Sequence, residues 1–236
     1  MLVIQHVPQE GPGTLGEFLE EKGAVCEIRE AYRDGGRALS GVDLSGALGI
    51  ISMGGPMGVY DEAEHPFLAV EKRLIRELVP AGIPFLGVCL GAQMLACALG
   101  GRVTKAADRE IGWGTVDRRA AAADDPLFRR LDPSVPVFQW HEDTFELPAN
   151  SFLLAQGGGL NQAFRCGDRA WGLQFHVEVD AAMIRSWVAA ARPDEVPAGA
   201  GARMIATYEQ IGAAYREQAR RLYEGFWEVL STRRSS

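Results

Sequence analysis

Short apolar runs at 2–7, 25–28, 48–53 and 83–88, rich in Val, Ile and Leu and bounded by Gly, Pro or charged residues, predict buried parallel strands. Between them, apolar positions recur every three or four residues. One such stretch, 14–22, has Gly23 as its stop signal, and another, 66–79, sets Phe67, Val70, Leu74 and Leu78 along one face. Strand and helix therefore alternate through residue 100. That is the pattern of βαβ units, which wind right-handed into a doubly wound, mostly parallel sheet with helices on both faces.

From 102 to 176 the period changes. Strand candidates at 102–106, 114–118, 135–140, 152–156 and 171–175 are joined by turn-rich connections, which predicts antiparallel strands added to the sheet. Beyond them, Ile205, Tyr208, Ile211, Tyr215, Ala219, Leu222, Phe226 and Val229 mark an amphipathic helix over 204–230, with an expected break near Gly212. The stretch 193–201 has the look of a linker. The expected organisation is a flavodoxin-like α/β domain over 1–192, then a linker and a C-terminal helix over 193–236 that packs on the same domain.

Composition adds limits. The chain has 236 residues, 47% hydrophobic and 23% charged, which is enough apolar surface for one sizeable core. A net charge of −7 argues against a nucleic-acid footprint, which needs clustered Lys and Arg. Residues 1–7 read as a first strand and lack the basic region and cleavage site of a signal peptide. No apolar stretch approaches the roughly 20 residues that a membrane-spanning helix needs. The expectation is a soluble, cytoplasmic protein without membrane contact. Cys26, Cys89, Cys97 and Cys166 form no C-x-x-C pair, so four free thiols are expected, with no metal and no cofactor.

Chemistry concentrates at one turn. Phe85-Leu86-Gly87-Val88-Cys89-Leu90-Gly91-Ala92-Gln93 reads as a strand ending in Gly-x-Cys-x-Gly and entering a helix, the nucleophile-elbow pattern with sulfur in place of oxygen. The nucleophile of such an elbow sits on a sharp turn whose neighbours must lack bulk, and Gly87 and Gly91 meet that need. At the helix N-terminus the macrodipole and free N–H groups favour a thiolate and can hold an oxyanion.

A cysteine nucleophile needs a base, for which the candidates are His6, His65, His141 and His176. His176 follows the strand candidate 171–175, and Glu178 stands two residues on, where a carboxylate can reach the imidazole and fix its tautomer. His141, in Gln139-Trp140-His141-Glu142-Asp143, also ends a strand candidate and is its chief rival. His6 and His65 lack that context and read as structural. Gly11-Pro12-Gly13-Thr14-Leu15-Gly16 matches G-x-G-x-x-G, but Pro12 removes an N–H that a phosphate loop would use, and Glu10 adds a negative charge there.

Three segments together resemble the class I, triad-type glutamine amidotransferases: Ser52-Met53-Gly54-Gly55-Pro56, the elbow at 85–93, and Gly172-Leu173-Gln174-Phe175-His176-Val177-Glu178. The similarity runs over about 48–180 and looks closest to stand-alone relatives of the amidotransferase domain of GMP synthetase. The resemblance implies that Cys89 attacks the side-chain amide of glutamine to form a thioester, that ammonia departs, and that water releases glutamate. His176 then moves the proton and Glu178 orients it. By the same match, backbone N–H groups of Leu90 and of Gly54 or Gly55 form an oxyanion hole, while Gln93, Trp140, His141, Glu142 and Asp143 hold the amino-acid end of the substrate. Val177 departs from the pattern, which usually has proline there, and is expected to shift the His ring.

The substrate so implied is glutamine. Because the chain carries no nucleotide-binding synthetase domain, a separate ammonia-accepting synthase is the expected partner. The same residues would also serve a stand-alone γ-glutamyl hydrolase or peptidase acting on a γ-glutamyl compound. A third alternative is a non-catalytic binding module, which the presence of Cys89, His176 and Glu178 disfavours.

Overall fold

The computed structural model describes residues 1–41, 46–192 and 194–232. Its parallel half is built from β1 (Leu2–Gln5), β2 (Glu27–Glu30), β3 (Ile50–Ser52) and β4 (Phe85–Val88), joined with α1 (Gly13–Glu21), α2 (Phe67–Leu78) and α3 (Leu90–Ala98). Then come β5 (Val103–Arg118), β6 (Ser134–Phe145), β7 (Ser151–Gly157), β8 (Leu160–Cys166) and β9 (Ala170–Leu173), followed by α4 (Ala181–Ala190) and α5 (Ala200–Ser231). All nine strands share one sheet in the order β2-β1-β3-β4-β9-β8-β7-β5-β6. Pairing is parallel from β2 to β9 and antiparallel from β9 onward.

Successive strand residues point to opposite faces, and both faces are covered. Leu2, Ile4, Ile50 and Phe85 pack with Leu68 and Ile75 of α2 and with Leu90 and Met94 of α3. Val3, Ile51, Leu86 and Val88 pack with Leu15 and Phe18 of α1 and with Leu222 and Phe226 of α5. Burial on both sides is why these strands read as unbroken apolar runs. Connections leave β1 and β3 toward opposite faces, so a crevice opens at the carboxyl ends of the parallel strands.

Several boundaries differ from expectation. The second strand starts two residues late because its register is set by pairing with β1, Leu2 opposite Glu27. It is the sheet edge, which leaves Val25 and Ile28 exposed rather than buried. The candidates 102–106 and 114–118 are one strand, β5, interrupted by an irregularity between Lys105 and Glu110. Two elements went unforeseen. β8 is paired to β7 through a two-residue Gly158-Gly159 hairpin with both φ positive, the conformation such tight turns require. Asp180 caps α4, its side chain accepting from Met183 N at 2.7 Å. The last helix does not break at Gly212, because Tyr208, Tyr215, Leu222 and Phe226 are packed on both sides of that residue. Tertiary burial there outweighs the roughly 1 kcal/mol that a glycine costs a helix. Of the linker-like stretch 193–201, residue 193 lies outside the described residues. No described helix is long and apolar enough to cross a membrane.

Candidate active site

Cys89 sits at the turn from β4 into α3 with φ +52° and ψ −107°, a left-handed conformation that a non-glycine residue holds only under constraint. The constraint is visible: Cys89 N–H donates to Leu173 O at 2.7 Å, and its own carbonyl accepts from Ala92 and Gln93. The flanking glycines answer to sterics. A Cβ on Gly87 would lie 2.4 Å from the Gly91 carbonyl, and one on Gly91 would lie 2.1 Å from Ser52 O. The thiol is 5% exposed and points to Trp140 O at 3.7 Å, and Gln174 Nε2 lies 3.9 Å from the sulfur. Burial pushes the Cys89 thiol pKa up; the pull of His176 lowers it, and Glu10 and Glu178 raise it further. Burial thus opposes the thiolate that the helix N-terminus favours.

His176 and Glu178 follow β9. The ring's Nδ1 is 2.7 Å from Glu178 Oε1, both side chains are buried, and Nε2 is buried with no conventional hydrogen-bond partner among the described residues. Burial disfavours charge on the ring, but Glu178 and Cys89 outweigh it and hold the His176 pKa well above the ordinary value. Thiol and imidazole thus perturb one another directly.

The backbone of 176–178 is braced from two elements. Tyr215 and Tyr223 of α5 donate to His176 O and Val177 O, at 3.4 and 2.7 Å. Thr14, in the first turn of α1, donates both its N–H and its hydroxyl to Glu178 O. A Cβ on Gly13 would strike the same carbonyl at 2.3 Å, so the glycine-rich loop at 11–16 is shaped to Glu178. Val177 N–H donates to Glu178 Oε2 at 2.9 Å, a bond that the proline usual at this place in the family could not make.

A cavity of about 260 Å³ opens onto Cys89 and is lined by Gly55, Gln93, Trp140, His141, Glu142 and Asp143, among others. Its walls are already committed. Gln93 Nε2 bonds Asp143 O and Gln174 Oε1, and Trp140 Nε1 bonds Glu195 Oε1 at 2.7 Å. Both nitrogens of His141 have partners: Nδ1 contacts Asp143 O, while Nε2 lies 3.1 Å from Gln139 Oε1 and 3.0 Å from Glu110 Oε2. Glu142 pairs with Lys105, Arg109 and Arg192, and Asp143 takes Tyr60 OH and Lys105. Among the described residues the N–H groups of Gly54 and Gly55 donate to no carbonyl or side chain, and that of Leu90 precedes the ladder of α3. No group of three or more His, Cys, Asp or Glu among the described residues is arranged to hold a metal ion.

Three side chains at the site carried no clear signal in the sequence. Glu10 projects from the loop after β1 onto Gly54, its Oε2 2.2 Å from where a Cβ would stand, with His176 Cε1 3.1 Å from the same point. Burial raises its carboxyl pKa to about 7; His176 pulls it down and Glu178 pushes it up. Trp187 of α4 meets the His176 ring edge-on at 4.7 Å, and Glu195 reaches back from the 192–199 segment to Trp140.

An open α/β sheet whose carboxyl-end turns carry a constrained cysteine and a buried His–Glu pair defines a protein of the nucleophile-elbow kind. The model of the family described as glutamine amidotransferase class-I matches residues 17–185, and the chain belongs to that family. A glutamine-hydrolyzing GMP synthase of Thermomicrobium roseum is 39% identical over 132 residues, which make up 56% of this chain and 23% of that protein. The chain spans about a quarter of the length of the curated relatives it matches. Among solved structures, a glutamine amidotransferase from Thermotoga maritima superposes with a TM-score of 0.86 at 33% identity, covering 98% of this chain and 97% of that one. A glutamine amido transferase from Methylobacillus flagellatus gives 0.82 at 27% identity, covering 99% and 96%. Family membership supports glutamine amide hydrolysis in general and an amidohydrolase enzyme.

Proposed function

We propose that this chain cleaves the side-chain amide of glutamine through a thioester on Cys89, with His176 as acid and base and Glu178 as its orienter. The observation that carries this is the His176 ring. One nitrogen is fixed on Glu178, while the other is buried with no conventional hydrogen-bond partner among the described residues, and the ring interacts with the thiol of Cys89, which is constrained at a strand-to-helix turn. Transfer of the thiol proton to His176 leaves a thiolate beside an imidazolium. The sulfur attacks the amide carbon, the C–N bond breaks as His176 gives its proton to the departing ammonia, and a glutamyl thioester remains. Neutral His176 then takes a proton from water, which attacks the thioester and frees glutamate and the sulfur.

In this scheme the N–H groups of Leu90 and of Gly54 or Gly55 receive the oxyanion, each donor worth about 3–4 kcal/mol. Gln93 and the 140–143 segment shape the pocket for the amino-acid end, and ammonia passes to a separate synthase in the cytoplasm. A γ-glutamyl compound with a larger leaving group is the second reading; Lys105 and Arg192 line the same cavity, each already paired with Glu142. Purified protein assayed on glutamine and on γ-glutamyl dipeptides separates the two. Glutamate release from either, abolished by Cys89→Ser, is expected, and no release from any of them would overturn the proposal.

A further inference from the structure

His6 takes no part in the chemistry above, yet it is fully buried between two acceptors. Its Nε2 lies 2.7 Å from Glu71 Oε2, and its Nδ1 lies 3.1 Å from the carbonyl oxygen of Gly54. A neutral imidazole has one N–H and would set a lone pair against one of these oxygens. Both contacts are met at once by an imidazolium that donates from each nitrogen. Glu71 is itself held, its Oε1 accepting from Ser52 Oγ at 2.5 Å. The titratable groups facing the ring are Glu71 from α2 and Glu10 from the loop after β1, and Phe67 stacks on it at 5.6 Å. Burial works against charge on this ring, but Glu71, the Gly54 carbonyl and Glu10 together outweigh it and raise its pKa.

The carbonyl that His6 grips belongs to the peptide joining Gly54 to Gly55. No described peptide bond is cis, so the C=O and N–H of this one point in opposite directions. The carbonyl is turned toward buried His6, while Gly55 lines the cavity with Cys89. We infer that His6, as an imidazolium paired with Glu71, is a positioning residue that fixes and polarises the Gly54–Gly55 peptide so that Gly55 N–H donates to the oxyanion. The inference rests on the amide hydrolysis proposed above. A cation on the carbonyl oxygen draws electron density through the amide and makes its N–H a stronger donor. Two glycines leave the peptide no side chain of its own to hold it, and His6 supplies that hold from behind. The arrangement repeats the His176–Glu178 pair on the opposite side of the oxyanion loop: one carboxylate orients a base, the other keeps a cation in place.

The test reads ring charge and kinetics separately. Nitrogen NMR of His-labelled wild-type protein at pH 8 is expected to show both His6 nitrogens protonated. His6→Phe, which can stack but cannot donate, is expected to lower kcat about tenfold to a hundredfold, less than outright deletion of an oxyanion donor. KM should stay within about twofold, and His6→Gln, which keeps an N–H for Gly54 O, should recover part of the loss. A neutral His6 ring at pH 8, or a His6→Phe protein with unchanged kcat and only a lower melting temperature, would overturn the assignment. Wild-type protein that releases no glutamate contradicts the hydrolysis instead. His6 is then judged on its ring charge and on whether His6→Gln moves the Gly55 amide resonance, a still resonance counting against it.

Discussion

The backbone N–H of Val177 donates to Glu178 Oε2 over 2.9 Å, while Oε1 of the same carboxylate holds His176 Nδ1 at 2.7 Å. The residue that stands where the family usually has proline thus also holds the carboxylate that contacts the His ring. Val177→Pro removes that N–H. Its kcat is expected to fall about fivefold to tenfold at unchanged KM, the effect of roughly 1 kcal/mol in one lost hydrogen bond. Steady-state kinetics on glutamine checks this, and an unaltered kcat would show that the bond does not contribute.

Tyr223 ties α5 to the same segment, its buried hydroxyl donating to Val177 O at 2.7 Å and meeting Thr14 Oγ1 at 3.0 Å. Tyr223→Phe keeps the packing of the ring and strands a buried carbonyl. A loss of about 1–2 kcal/mol is expected, seen as a melting temperature lower by about 2–8 °C in a chain of this size.

The pH dependence of activity follows from the sulfur. Burial, with Glu10 and Glu178, raises the Cys89 thiol pKa, and the opposing pull of His176 does not cancel it. The reacting form is deprotonated, so kcat/KM for glutamine is expected to climb from neutral into alkaline pH. A rate already flat from pH 6 upward would contradict a thiol held above its ordinary pKa.

Glu10 bears on stability. Its carboxyl pKa is raised from the ordinary 4.5 to about 7, chiefly by burial. The fold therefore binds this proton more tightly than the unfolded chain does. The resulting stability is full below pH 4.5 and lost as pH rises through about 7. At about 1.4 kcal/mol per pH unit the loss amounts to at most about 3–4 kcal/mol. Glu10→Gln cannot lose it, and denaturant titrations above pH 7 should find that variant more stable than wild type; equal stability at pH 8 would mean that the carboxylate is charged at little cost.

The βαβ half of the fold was legible because its strands are buried on both faces and its motifs lie at strand ends. Gly87 and Gly91 announced the elbow through their own smallness. The antiparallel half was harder to read: Leu160–Cys166 mixes Asn, Gln and Arg with its apolar residues, and only the Gly158-Gly159 turn marks the hairpin. Periodicity placed a helix at 204–230 but could not weigh the packing that carries it through Gly212. His6 and Glu10 stayed hidden for another reason. What sets them apart is a buried carboxylate 65 residues away and a glycine carbonyl at 54, relationships that exist only once the chain is folded.

The central claim is that Cys89, alone among the four free cysteines, is a nucleophile for a glutamine-like carbonyl. Exposure by itself would favour Cys26 and Cys97, which are more accessible than Cys89, while Cys166 is buried with its thiol pushed up to about 12. Treating the protein with a chloroketone analogue of glutamine and mapping the adduct by mass spectrometry decides the matter. One adduct on Cys89, blocked by excess glutamine and absent in Cys89→Ala, is the predicted result. Labelling of Cys26 and Cys97 with Cys89 left unmodified would contradict it.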